Sequence, residues 1–345
     1  MSSNTLSTGL LWSIGFLILT VVFWLNLSLG SVDIPLLDVL NILSGGDASK
    51  RSWKLILLDF RLPRAITAVL AGMSLSVAGL MMQTLFRNPL AGPFVLGISS
   101  GASLGVALYV MAGSLLSGWM IAGSSWGLII SATIGASAVM LLVVAASLRI
   151  SDSVSLLIIG LMFGSTTGAL VSILQFFSAA ELLQSYIIWT FGSLSGVSWS
   201  QLAVLAPLVL LGILVAIFSQ KMLNGFLLGE NYAGSLGISV AKTRMVVILA
   251  TSLLAGGITA FCGPIAFVGL AIPHLARYAH NTADHRILIP SSILIGSIAM
   301  LIFDLISQLP GQEATLPLNA ITALFGAPVV IWVILRNRQL KSPMS

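Results

Sequence analysis

The chain has 345 residues, of which 57% are hydrophobic and only 7% are charged, and its formal net charge is +5. Soluble proteins carry about 25% charged residues, so this composition excludes an ordinary soluble enzyme and a folded nucleic-acid-binding surface. At about 30 residues for each span with its loop, roughly ten transmembrane helices fit into the chain. We therefore predict an all-α, polytopic membrane protein with a single transmembrane domain over residues 1–345.

Apolar runs separated by polar loops define the predicted spans. The first run, residues 10–29, is longer than the core of a signal peptide and is interpreted as a retained span. The least distinct pair is 242–260 and 265–279, because Gly263 and Pro264 separate two short runs. The ten predicted spans are residues 10–29, 65–86, 96–112, 126–147, 154–177, 199–219, 242–260, 265–279, 288–307 and 319–335.

The distribution of Lys and Arg predicts the orientation of the spans. Five of the 15 lie in the segment 31–64, and the other ten lie on the opposite side. Because Lys and Arg accumulate in cytoplasmic loops, both termini are predicted to be cytoplasmic. The segment 31–64 is then an external loop, and about 221–241 is a cytoplasmic loop. Leucine spacing at 36, 37, 40 and 43 predicts an amphipathic helix on the membrane surface.

Small residues recur every four positions in three predicted spans. Such residues on one helix face let another helix backbone approach closely. The favoured interpretation is packing within one subunit, and the alternative is a subunit interface or a substrate path. The three sets are Ala68, Gly72 and Ser76; Gly97, Gly101 and Gly105; and Gly160, Gly164 and Gly168.

The second predicted span ends at a proline-broken turn, where residues 87–93 read Arg-Asn-Pro-Leu-Ala-Gly-Pro. Pro89 and Pro93 prevent a continuing helix. Irregular backbone at this depth is tolerated only where protein buries it or water reaches it. The turn therefore faces either the protein interior or an aqueous path.

Two blocks of this sequence resemble the FecCD/BtuC-like permeases, the membrane subunits of type II ABC importers that take up iron-siderophores, haem and cobalamin. The resemblance covers about residues 55–335. The first block is Arg61-Leu-Pro-Arg64, Gln83, Asn88-Pro89-Leu90-Ala91-x-Pro93, Leu96-Gly97 and Gly101-Ala102. The second is Phe267-Val-Gly-Leu270, Pro273-His274, Arg277 and Asp304.

This resemblance implies a permease that moves a metal chelate into the cytoplasm, with ferric siderophore as the first choice and haem or cobalamin as alternatives. It implies ATP-binding subunits on the cytoplasmic side, an external substrate-binding protein and a second permease subunit, identical or homologous. The location implied is the inner or plasma membrane of a bacterium or archaeon. No cofactor or nucleic acid is implied. Because the chain has no Gly-x-x-x-x-Gly-Lys-Ser/Thr phosphate loop, ATP hydrolysis is expected in a separate subunit and not in this chain.

The resemblance also assigns sites. The loop 221–241 is similar to the family's coupling-helix motif, expected here as a short helical pair with an apolar knob and an exposed carboxylate at Glu230. An ordinary amphipathic surface loop is the alternative. The matching residues are Leu228, Gly229, Glu230, Ala233, Leu236 and Gly237. The gate of the path is expected at Asn88 and Leu90, and less directly at Ser151, Asp152 and Ser153.

Arg61 and Arg64 match arginines that, in the family, receive carboxylates of the binding protein. Anchoring to lipid phosphates or pairing with Asp59 is the alternative. The family's arginine four residues after Asp304 is Gln308 here, which predicts the loss of one docking contact. Asp304 itself is a functional candidate, because a carboxylate inside a span is energetically expensive.

The sequence disfavours three other interpretations: a metal site, an ion-coupled transporter and a membrane-embedded enzyme. Pro273 and His274 suggest a kink and a polar cap near a helix end, whereas the spacing of His274, His280 and His285 matches no helix-face metal pair, so no metal site is expected. The runner-up function is an ion-coupled secondary transporter, which would favour several carboxylates at mid-membrane, and only Asp304 lies clearly inside a span. A membrane-embedded enzyme would need clustered catalytic groups at one depth, and the sequence shows no such cluster.

Overall fold

The computed structural model describes residues 7–112, 124–150, 152–308 and 315–340, and within these ranges the chain is helical without a β-strand. Two π-helical segments, Ile56–Arg61 and Ser252–Gly256, and the 3₁₀ turn Pro93–Leu96 interrupt the α-helices. The α-helices of the described ranges are α1 Thr8–Ser28, α2 Leu36–Leu43, α3 Arg51–Leu55, α4 Leu62–Leu85, α5 Ile98–Met111, α6 Ser125–Ser147, α7 Ser153–Phe176, α8 Ala180–Thr190, α9 Trp199–Phe218, α10 Gln220–Leu227, α11 Glu230–Ser235, α12 Val240–Thr251, α13 Gly257–Cys262, α14 Val268–His280, α15 His285–Ser307 and α16 Leu318–Leu340.

Each predicted span coincides with a helix in the described ranges. Among the described residues, seven helical stretches are long and apolar enough to cross a membrane, and α5 and α16 contain shorter apolar helices. The least distinct pair is also present: α12, its π-helical segment and α13 form one stretch, Val240–Cys262, and α14 follows with 13 residues. The prediction of an all-α polytopic fold is confirmed.

The two ends of the bundle carry different polar features. At one end, here named the coupling end, a recess of about 920 Å³ lies between the end of α4, the start of α7, and α11 with the turn that precedes it. The other end, named the far end, holds Asp304, to which Asn26 and Arg64 both donate hydrogen bonds. Each end thus joins residues that are far apart in the sequence.

Close backbone contact places α4 at the centre of the bundle. A Cβ on Gly72 would lie 2.1 Å from the carbonyl oxygen of Gly296 in α15, and one on Gly79 would lie 1.6 Å from that of Gly269 in α14. A Cβ on Gly101 would lie 2.5 Å from the backbone of α6. Gly72 and Gly101 thus pack helices within one chain, as predicted for their sets, and Gly79, outside those sets, does the same.

Replacing Gly79 by alanine is expected to destabilise the fold by about 1–3 kcal/mol, because the new methyl group would overlap a backbone carbonyl that cannot rotate away. Gly168→Ala is the matched control, since Gly168 is also helical and has nothing within 4 Å of its added Cβ. Its effect is expected to be neutral or stabilising by up to about 1 kcal/mol. Thermal unfolding in detergent measures both, and equal midpoints would contradict the packing argument.

The amphipathic helix α2 occupies the predicted residues. Val39 and Ile42 are buried against the protein, whereas Leu37 is 75% exposed. The four leucines that predicted this helix all point away from the bundle. Their stripe is therefore available to a surrounding bilayer.

Candidate functional site

The coupling end carries an exposed apolar knob built on the predicted helical pair, α10 and α11. Gly229 joins the two helices at φ +107°, a conformation that favours glycine. Leu228, Tyr232 and Leu236 are 63%, 51% and 57% exposed, while Ala233 beneath them is fully buried. Large apolar side chains grouped at the surface mark an interaction site.

A glycine closes the knob at its carboxyl end. Gly237 has φ +78°, its N–H donates to the carbonyl of Gly234, and the N–H of Ile238 donates to the carbonyl of Ala233. This pair of bonds is the Schellman arrangement, which needs a left-handed residue after the helix. Gly237 therefore sets the direction in which the chain leaves the knob.

The carboxylate of Glu230 is less exposed than predicted. It was expected to be exposed, but its side chain is 26% exposed, and Nη2 of Arg244 donates to both carboxylate oxygens at 2.7 and 2.8 Å. Arg244 is buried in α12 and also donates to the carbonyl of Ile150 at 3.1 Å. Glu230 therefore anchors the knob to the bundle.

The predicted gate turn, residues 87–90, is held by a hydrogen bond within it and by a contact from α14. The side-chain oxygen of Asn88 accepts a hydrogen bond from the N–H of Leu90 at 2.9 Å, and Leu90 itself is 42% exposed. His274 of α14 lies with Nε2 2.8 Å from the carbonyl oxygen of Pro89. His274 thus fixes the turn, a role more specific than the predicted polar cap.

A glutamine on α4 adds a second tie to α14. The side chain of Gln83 donates to the carbonyl of Leu270 at 3.1 Å and accepts from the guanidinium of Arg277. Arg277 therefore lies inside the coupling end and helps to hold α14 against α4.

The second part of the predicted gate is described only in part, because Ser151 lies outside the described residues and Ser153 is the first residue of α7. Asp152 caps α7 and accepts from the N–H and the hydroxyl of Ser155, each at 2.7 Å. The Ser155 hydroxyl and N–H hold the pKa of the Asp152 carboxyl below its usual range. A gating role for this connection stays a prediction.

The remaining motif residues shape two helices. Pro93 opens the 3₁₀ turn, Gly97 ends it in the left-handed region at φ +74°, and Gly101 packs against α6. Pro273 lies inside α14, next to the histidine that holds the gate turn. These residues position the coupling end.

At the far end, Asp304 is 1% exposed and receives several hydrogen bonds. Arg64 Nε donates to both carboxylate oxygens at 2.8 and 3.1 Å, and the amides of Asn26 and Gln308 donate to Oδ2 at 3.2 and 2.9 Å. Arg64 also donates to the hydroxyl of Ser307 at 3.1 Å. The buried charge pair thereby ties together α1, α4 and α15.

Arg61 does not occupy the exposed position that docking to an external protein requires. It is 6% exposed, and its guanidinium donates to the carbonyls of Leu27 at 2.8 Å, Ser28 at 2.7 Å and Val32. These contacts fasten the end of α1 and the turn after it. Gln308, 9% exposed, likewise turns inward. Its side chain is therefore not presented to an external protein.

The three histidines are held apart by separate partners. His274 contacts Pro89, His280 lies 2.8 Å from the hydroxyl of Ser291, and His285 lies between Thr84 and Asn224. Within the described residues, no group of three His, Cys, Asp or Glu side chains is arranged to hold a metal ion.

The partner residues of this site were not predicted from the sequence. Arg244 was counted only as a positive charge, although it falls inside the predicted span 242–260, and a charge within a span is a functional signal. Asn26, Thr84 and Asn224 carried no such signal. Their roles depend on partners that only the fold brings near.

The chain is similar to permeases of ABC importers in sequence and in fold. The vitamin B12 import system permease protein BtuC of Photorhabdus laumondii is 38% identical over 83% of this chain and 83% of its own length. The hemin transport system permease protein HmuU of Yersinia pestis is 34% identical over 95% of this chain and 97% of its own length. A solved structure of an ABC transporter in an inward-facing conformation, assigned to the metal-chelate type, superposes with a TM-score of 0.82 at 29% identity and covers 94% of this chain and 99% of its own.

The model of one protein family, the FecCD transport family, matches residues 18–336. This range contains the knob, the gate turn and the charge pair at the far end. The chain belongs to the FecCD transport family, whose members are multi-pass membrane permeases of bacterial ABC importers.

Proposed function

We propose that this chain forms one half of the path by which a bulky metal chelate enters the cytoplasm, driven by ATP-binding subunits that dock on the knob of α10 and α11. The observation that carries the proposal is the exposure of Leu228, Tyr232 and Leu236 on a helical pair anchored by Glu230. A rigid apolar surface that a partner protein binds can transmit the movement of that partner to the rest of the chain.

Ferric siderophore is the proposed cargo. It is the first choice that the sequence resemblance implies. Cobalamin and haem are the second candidates, because relatives of similar length are named for vitamin B12 and hemin transport. All three are large metal chelates, so the same path suits each.

The external binding protein is proposed to dock near Arg64, which lines a recess of about 200 Å³ at the far end together with Ser193 and Leu316. Arg61 is proposed to support that surface from below, since its guanidinium is already occupied by the turn after α1. The gate is proposed at Asn88 and Leu90.

Uptake into proteoliposomes tests the function. Vesicles containing the permease and its ATP-binding subunits, with the cognate binding protein outside, are supplied with ferrichrome, cyanocobalamin or haemin as probes. Uptake of one probe is expected only with enclosed ATP, and a protonophore is expected to leave it unchanged. Accumulation without the ATP-binding subunits would contradict the proposal and favour the secondary-transporter alternative.

A further inference from the structure

Asn224 of α10 joins two elements at the coupling end. Its side-chain oxygen accepts from the backbone N–H of His285 at 2.9 Å and lies 2.7 Å from Nδ1 of the same residue, while its NH₂ group donates to Asp284 at 2.7 Å. The opposite amide orientation would set NH₂ against an N–H donor and oxygen against a carboxylate. The contacts therefore fix the amide orientation and place the imidazole proton on Nδ1.

The other face of His285 contacts α4. With its proton on Nδ1, Nε2 is an acceptor, and the hydroxyl of Thr84 lies 2.8 Å from it. The carbonyl of Leu80 lies 2.9 Å from the same hydroxyl and competes for its one proton. His285 is fully buried and Thr84 is 2% exposed. Buried polar groups are costly unless they are paired, so this cluster favours one arrangement.

Thr84 lies three residues, about one helical turn, before the first residue of the gate turn. The N–H of Arg87 donates to the carbonyl of Thr84 at 3.2 Å, and the N–H of Asn88 donates to that of Gln83 at 3.1 Å. The backbone of the gate turn is thus fastened to the last turn of α4, where the polar cluster also ends. The contacts from α10 through His285 and the backbone hydrogen bonds of the gate turn thus meet at Thr84, the former at its hydroxyl and the latter at its carbonyl.

Asp284 completes the cluster on the aqueous side. It caps α15 by accepting from the N–H of Arg286 at 2.9 Å, and that N–H together with the Asn224 amide holds the pKa of the Asp284 carboxyl below its usual range. The carboxylate therefore remains an acceptor for Asn224. Asn224, which lies four residues before Leu228 of the knob, is in this way fixed to the first turn of α15.

We propose that Asn224, His285 and Thr84 are positioning residues that join α10 to the gate turn, so that displacement of the knob by an ATP-binding subunit moves residues 87–90 with it. This inference rests on the proposed function and names the connection through which it operates. Packing alone would hold the helices together. The directional hydrogen bonds add a fixed orientation between α10, α15 and α4.

A single reporter cysteine tests the connection. Cys262 is the chain's one cysteine and is buried, so Leu90→Cys supplies one accessible thiol in the gate turn. The permease is reconstituted with its ATP-binding subunits, and the rate of maleimide labelling is compared without nucleotide and with ATP plus vanadate. We expect nucleotide to change the rate by about fivefold or more.

Thr84→Val in the Leu90→Cys background removes the hydroxyl at nearly constant volume and is expected to bring the ratio of the two rates close to one. Thr84→Ser keeps the hydroxyl and is the matched control, expected to retain the ratio. Retention of the ratio in Thr84→Val, or its loss in Thr84→Ser, would overturn the inference. Melting midpoints and ATP hydrolysis, measured in parallel, show whether each variant is folded and still bound to its partners.

Asn224→Leu supplies an independent arm at a partly exposed position, useful if Thr84→Val does not fold. It is expected to lose the nucleotide response too, and the double variant is expected to lose no more than either single one, because both break one series of contacts. A response that survives in Asn224→Leu would overturn the inference. If Leu90→Cys alone shows no response while ATP is hydrolysed, the proposed function fails first and the inference fails with it.

Discussion

Replacing Asp304 by alanine is expected to destabilise the folded chain by about 3–5 kcal/mol, because the change leaves the guanidinium of Arg64 buried without its carboxylate. The amides of Asn26 and Gln308 lose the same acceptor. The apparent Tm in detergent is expected to fall by at least about 6 °C. Uptake is expected to fall with the amount of folded protein.

A double variant separates the ion pair from the space it fills. Arg64→Met with Asp304→Leu removes both charges, and replacing both partners of a buried pair by apolar residues is often nearly neutral. We expect the double variant to recover most of the Tm lost in Asp304→Ala. A double variant as unstable as the single one would show that the lost hydrogen bonds from Asn26 and Gln308, and not the unpaired charge of Arg64, cause the destabilisation.

Arg244→Met is expected to weaken binding of the ATP-binding subunits by about tenfold or more. The change removes both hydrogen bonds to Glu230 and the bond to the carbonyl of Ile150. Hydrogen bonds to charged groups contribute about 1.5–3 kcal/mol each, and a loss of 1.4 kcal/mol in binding is tenfold in Kd. The affinity of the purified subunits for the permease in nanodiscs measures this effect.

Lys242→Met is the matched control for that experiment. It removes a positive charge two residues away on the same helix, but Lys242 is exposed and forms no ion pair of 4 Å or less in the described chain. Its affinity is expected to stay within about twofold, since exposed charges contribute little. An equal loss in both variants would point to net charge at the coupling end and not to the anchoring of Glu230.

The fold was largely predictable from the sequence, because span length and apolarity are local properties. The run that became α4 and the broken pair around Gly263 were both located from composition alone. The glycine spacing also predicted close helix packing, since a missing side chain has the same steric effect wherever the partner helix lies. Which helix fills the space is a long-range property, and the sequence did not reveal it.

The polar contacts of the site were less predictable for the same reason. Arg61 and Arg64 are three residues apart and were assigned one role, yet Arg61 turns towards α1 and Arg64 towards α15. Glu230 was expected at the surface because its partner, Arg244, lies in the following span. Residue type indicated that these positions matter, but only the fold determines what they contact.

The glycine contacts of α4 also limit which substitutions this chain can accept. Where Gly72 meets Gly296 and Gly79 meets Gly269, backbone touches backbone, and no smaller residue exists to compensate for an enlarged neighbour. A larger residue at one glycine of a pair therefore cannot be compensated by a smaller residue at the other. Adaptation of the chain to a new cargo is therefore confined to helices whose faces still carry exchangeable side chains.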